Sequence, residues 1–65
     1  MKNLKYPNIT AERARRGWSL EDFGKVLGVS RKTINNWETK GSIPQAMLEK
    51  MADVFGCSIE YLLAA

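Results

Sequence analysis

In the stretch GVSRKTINNWE, residues 28–38, Arg31, Lys32, Asn35 and Asn36 place charged and neutral hydrogen-bond donors within six consecutive positions. If the stretch is helical, each residue advances about 100° around the axis. With Arg31 at zero, Asn35 falls near ~40°, Lys32 near ~100° and Asn36 near ~140°. Ile34 and Trp37 fall on the opposite side. The stretch therefore pairs an apolar wall that can pack with a face of donors that can bond a partner outside the chain.

The distribution of charge points to the kind of partner. The formal charge is +3 over 65 residues. Residues 1–41 carry nine of the ten Lys and Arg against Glu12, Glu21, Asp22 and Glu38, a balance of +5; residues 42–65 carry Lys50 against Glu49, Asp53 and Glu60, a balance of −2. A basic end of this kind suits a polyanion.

Other chemistries are poorly served. One cysteine and no histidine leave no intramolecular disulfide, no usual zinc cluster and no His-based triad. No metal, cofactor or small-molecule ligand is expected, and the carboxylates Glu21, Asp22, Glu49, Asp53 and Glu60 are scattered with no base beside them, so the chain is not expected to be an enzyme. No apolar run approaches the ~20 residues that span a bilayer, and MKNLKYPN lacks the apolar segment of a signal peptide. A cytoplasmic protein with no membrane partner is expected, forming one domain over residues 1–65.

Helix punctuation then divides the chain. A first helix is expected to start near Pro7 or Asn8 and to stop before Gly17. Ile9 and Arg13 share its face, which puts an arginine where a core residue would stand. Ser19-Leu-Glu-Asp22 resembles a capping box and opens a second helix with Leu20, Phe23, Val26 and Leu27 on one side. Gly28 ends it. Ser30 is a good N-cap two residues later, so a third helix must leave the second through a turn of about three residues, a helix-turn-helix connection. Gly24 on the second helix would let another backbone approach closely. After a Lys40-Gly41-Ser42 loop, Pro44 starts a fourth helix, Gly56 closes it and Ser58 caps a last short one. The expected architecture is all-α, a compact five-helix bundle with Trp18, Phe23, Trp37 and Phe55 at the top of its core and Met47 and Met51 as filler.

The string from Leu20 to Trp37 closely resembles the helix-turn-helix of the Cro and phage-repressor family, also called the XRE family. Phe23, Gly24, Leu27, Gly28, Val29, Ile34 and Trp37 match its pattern of hydrophobes, small residue and turn glycine, while RARRGWS and FGCSIEYLL resemble the flanks on either side. The resemblance implies a lambda-repressor-like DNA-binding domain whose third helix, residues 30–38, lies in the major groove of double-stranded DNA. It implies base reading by Arg31, Lys32 and Asn36. Arginine and lysine donate to guanine, and asparagine pairs with adenine. It assigns the DNA backbone to Ser30, Thr33, Asn35, Lys40 and Ser42, and a structural ion pair to Arg13 and Glu38.

The resemblance further implies a homodimer on a near-palindromic operator, with Cys57, Ile59, Tyr61 and Leu62 of the closing helix as its interface. A repressor is the favoured function; a protein-interaction or antitoxin-like module on the same scaffold is the alternative, and the absence of acids at positions 31, 32 and 36 favours the former. Two features depart from the family pattern. Many members start the second helix with a glutamine that binds a phosphate and braces the reading helix, where this chain has Leu20. The loop TKGSIP is also a residue shorter than usual, with its glycine moved later.

Overall fold

The computed structural model describes residues 4–64, and serine side chains open three of its five helices. These are α1 (Pro7–Arg15), α2 (Leu20–Leu27), α3 (Arg31–Lys40), α4 (Gln45–Phe55) and α5 (Ile59–Leu63). Ser19 Oγ accepts from the Asp22 N–H at 3.0 Å while the Asp22 carboxylate accepts from the Ser19 N–H at 3.1 Å, closing the capping box of α2. That backbone bond, then the hydroxyl, holds the Asp22 carboxyl below the usual carboxylate range. Ser30 and Ser58 cap α3 and α5 in the simpler way, accepting from the N–H groups of Thr33 and Tyr61.

The other two starts differ in detail from the sequence expectation. Tyr6 is the N-cap residue of α1 and makes no side-chain cap, Pro7 fills the first helical position, and the Asn8 amide donates to Tyr61 O at 2.7 Å. Proline's preset φ and missing N–H make it suited to that place without a capping side chain. Pro44 is extended, with φ −59° and ψ 145°, so α4 begins at Gln45. At its far end α3 runs two residues beyond Glu38, which makes Lys40 a last-turn helical residue and not part of the loop.

The helices close on a core of Ile9, Phe23, Leu27, Ile34, Trp37, Met51, Phe55 and Leu62, to which every helix contributes. Phe23 and Phe55 stack with ring centroids 5.2 Å apart, and the half-buried Trp18 lies 5.9 Å and 6.2 Å from them. Val26, expected on the apolar side of α2, is 37% exposed. It lies about 60° beyond Phe23 on the side away from Leu27 and Gly24, and α2 meets α3 along the Gly24 side. Among the described residues no helix is long and apolar enough to cross a membrane.

Gly24 decides how closely α3 can approach. A Cβ placed there would lie 2.5 Å from Val29 O and 3.4 Å from Ser30 C, both backbone atoms of the turn that launches α3. Neither can retreat as a flexible side chain would. In an open helix Gly→Ala stabilises by about 1 kcal/mol. Here Gly24→Ala is expected to destabilise by ~1–3 kcal/mol through overpacking, lowering Tm by at least ~4 °C. An unchanged or raised Tm in a thermal melt would show that the glycine does not set the approach.

Candidate nucleic-acid interface

The orientation of α3 rests on a charge placed on its inner side. Glu38 is buried at 3% exposure. Its Oε2 accepts from Arg13 Nε at 2.8 Å, and its Oε1 accepts from Arg13 Nη2 at 3.2 Å and from Thr10 Oγ1 at 2.9 Å. Arg13 Nη1 donates to Trp18 O at 2.9 Å. A buried carboxylate without such partners would be costly; here a bidentate guanidinium and a hydroxyl satisfy both oxygens. The structure thus brings Arg13 and Glu38 together across α1 and α3.

With Ile34, Trp37 and Glu38 turned inward, the helical period leaves Arg31, Lys32 and Asn36 exposed. Asn35, within this face, and Thr33, beyond its Asn36 edge, are half-buried, and the Thr33 hydroxyl lies 3.0 Å from that of the exposed Ser30. Arg31 and Lys32 occupy the first turn of α3, which contains no acid. Cations at a helix N-terminus oppose the dipole by a few tenths of a kcal/mol. An incoming anion would reverse that balance.

Past the exposed Lys40 the chain turns through Gly41, with φ +87°, and Ser42, with φ +62°. Gly41 is buried against Tyr6 and Lys5, where a Cβ would lie 3.1–3.3 Å from their side chains. The Lys5 N–H donates to Glu38 O at 2.8 Å, so the segment before α1 satisfies a carbonyl in the last turn of α3. Ser42, non-glycine in the left-handed region, is exposed next to Lys40. Lys40 at the end of α3 and Ser42 in the loop that follows it are thus exposed on either side of the buried Gly41.

A helix-turn-helix family model matches residues 9–62. The chain belongs to the Cro and phage-repressor helix-turn-helix family. It is 30% identical over 50 residues to repressor protein CI of Enterobacteria phage phi80, a match covering 77% of this chain and 21% of that protein. The chain therefore spans about a fifth of the length of that curated relative. It also resembles the crystal structure of a hypothetical transcription factor, NHTF, from Neisseria, with a TM-score of 0.76 and 32% identity over 86% of this chain and 64% of that one. Domains of the Cro and phage-repressor kind place the second helix of the motif, here α3, in the DNA major groove.

Within this Cro-like scaffold the structure also shows a second ionic network that the sequence reading missed. Glu12 is buried at 3% exposure, accepts from Arg16 Nη1 at 2.9 Å and from the Tyr61 hydroxyl at 2.9 Å, and has Arg15 at 3.4 Å. The bonds from Arg16 and Tyr61 hold the Glu12 carboxyl below the usual range, and the bond to Glu12 raises the Tyr61 phenol. Arg16 also donates to Phe55 O at 3.0 Å and lies 4.7 Å from the Phe55 ring centroid. The i, i+4 spacing of Glu12 and Arg16 was a legible signal for their pairing. Their reach to α4 and α5 was not.

The residues expected at a dimer contact separate in the structure. Leu62 is fully buried in the core of its own chain, which removes it from the interface set; a five-residue helix needs at least one such anchor to stay docked. Tyr61 is 38% exposed while its hydroxyl is held by Glu12. Cys57 and Ile59 are half-buried, with Cys57 packed against the core and its thiol directed to Phe55 O at 3.6 Å.

Breaking one partner of a buried ion pair costs ~3–5 kcal/mol, a large part of the stability of so small a domain. A double-mutant cycle with Arg13→Met and Glu38→Gln, read by thermal or urea unfolding, is expected to give a coupling energy of at least ~1 kcal/mol. Strictly additive losses would mean that the pair does not hold α1 to α3.

Proposed function

We propose that this chain is a sequence-specific DNA-binding transcriptional regulator, a repressor that reads the major groove with α3. The observation that carries the reading is the outward face of that helix. Arg31, Lys32 and Asn36 are exposed together without an acid among them, while Ile34 and Trp37 are committed to the core and Glu38 to the Arg13 pair. Arg31 and Lys32 suit guanine O6 and N7, and Asn36 suits adenine N6 and N7; each good bidentate contact discriminates by ~1–3 kcal/mol.

Ser30, Thr33, Asn35, Lys40 and Ser42 take the DNA backbone. Contacts of this class fix register and carry most of the salt dependence. The names of the phi80 repressor and of the Neisseria transcription factor support the reading as a transcriptional regulator. A homodimer formed through exposed Tyr61, with Ile59 and Cys57 beside it, would place two copies of α3 on successive major-groove turns about 34 Å apart on a near-palindromic site.

Selection of bound duplexes from a random library, followed by titration in a salt series, tests this directly. An enriched palindrome is expected, and Arg31→Ala should relax preference at one base pair per half-site. Lys40→Ala should weaken binding to all duplexes alike and reduce the salt slope by about one. Failure to enrich any sequence, with binding that is weak and wholly salt-dependent, would overturn the regulator reading and favour a protein-interaction module.

A further inference from the structure

Leu20, the first residue of α2, is common to three neighbouring depressions on the surface that α2 and α3 share. One, of about 380 Å³, is walled by Arg31, Lys32 and Asn35; another, of about 470 Å³, by Ser19, Glu21 and Arg31; the third, of about 260 Å³, turns away from them toward α1, between Thr10 and Arg13 on one side and Asn35, Glu38 and Thr39 on the other. Part of Leu20 packs on the core and part remains accessible. Arg31, Lys32 and Asn35 thus lie to one side of a partly accessible leucine.

The start of α2 keeps free N–H groups at Leu20 and Glu21 but is weakened as a phosphate site by its own acids and cap. Glu21 and Asp22 both lie in its first turn, and the N–H groups of Ser19 and Asp22 are already bonded inside the capping box. Anion binding at a helix N-terminus relies on free N–H groups and an unopposed dipole. With the cations of α3 drawing DNA toward this surface, what the start of α2 offers beside Arg31 and Asn35 is the apolar part of Leu20. On the four standard bases, the apolar group exposed in the major groove is the thymine 5-methyl.

We propose that Leu20 is a specificity-determining residue that packs on a thymine 5-methyl group beside the base met by Arg31. This rests on the reading of α3 as the major-groove helix. The leucine supplies a shape and hydrophobic preference that the neighbouring donors cannot. It differs from a phosphate contact in its readout, because a methyl contact is specific for one base and insensitive to salt.

The test uses the duplex enriched by selection. Each thymine is replaced singly by deoxyuridine, which removes only the methyl, and affinity is measured for wild type, Leu20→Ala and Leu20→Met. One thymine per half-site is expected to lose about fourfold in affinity for wild type when its methyl is removed, the equivalent of one buried methyl-sized group. The thymine-to-deoxyuridine ratio should fall to near one in Leu20→Ala and persist in Leu20→Met. Because the ratio is taken within each variant, a modest loss of stability does not mimic the result. A selected site in which every thymine tolerates the replacement, or in which Leu20→Ala keeps the same ratio, would overturn the assignment while leaving the reading of α3 intact. Failure to select any site would overturn both.

Discussion

The bidentate pair between Arg13 and Glu38 is the interaction on which the rest of the structure depends. Glu38 belongs to the helix that carries the donors, and its charge is buried at the edge of the inward face, where that face meets the donor face. A hydrophobic residue there could pack in several rotational settings of similar energy. A carboxylate whose two oxygens must meet one guanidinium and one hydroxyl allows few. The pair therefore fixes the rotation of α3 about its own axis, and through the 3.6-residue period it fixes which way Arg31, Lys32 and Asn36 point. Gly24 fixes the remaining coordinate, the distance between α2 and α3.

The opposite side of the molecule repeats the device. Glu12 ties α1 to α5 through the Tyr61 hydroxyl, and Arg16 ties α1 to the last turn of α4 through Phe55 O. One helix with a thin apolar stripe thus holds three others, using two arginines and one glutamate in place of hydrophobic area. This suits a domain of 65 residues, in which area for a core is scarce. It also concentrates structural charge on α1, where Glu12 offsets one of the two charges of Arg15 and Arg16 and Glu38 offsets that of Arg13, and leaves Arg31, Lys32 and Lys40 available at the surface.

Most of the fold was legible in the sequence because its punctuation is local. Ser19, Ser30 and Ser58 cap the helices they were expected to cap, and Gly28 and Gly56 end α2 and α4 with φ of +79° and +69°. Each is decided within four residues. The readings that changed depend on contacts distant in sequence. Asn8 looks like a cap but bonds Tyr61, 53 residues away. Leu62 could have faced either a second copy or its own core, and only the docking of α5 onto α1 and α4 decides it. Val26 fell at the edge of an apolar arc wider than the surface available to cover it. For the candidate site, the outward face of α3 followed from helical period alone, whereas the place of Leu20 among the depressions between α2 and α3 needed the third dimension.

The central claim is that the exposed face of α3, held in phase by the core, is the surface that meets DNA. The most direct measurement is a backbone amide chemical-shift map of the protein titrated with a selected duplex at near-physiological salt. The account predicts that the largest changes cluster at residues 30–36 and 40–42 and at the start of α2, with the amides of α4 little affected. Changes centred on the α4 and α5 surface, or spread evenly over the chain with none at α3, would contradict it.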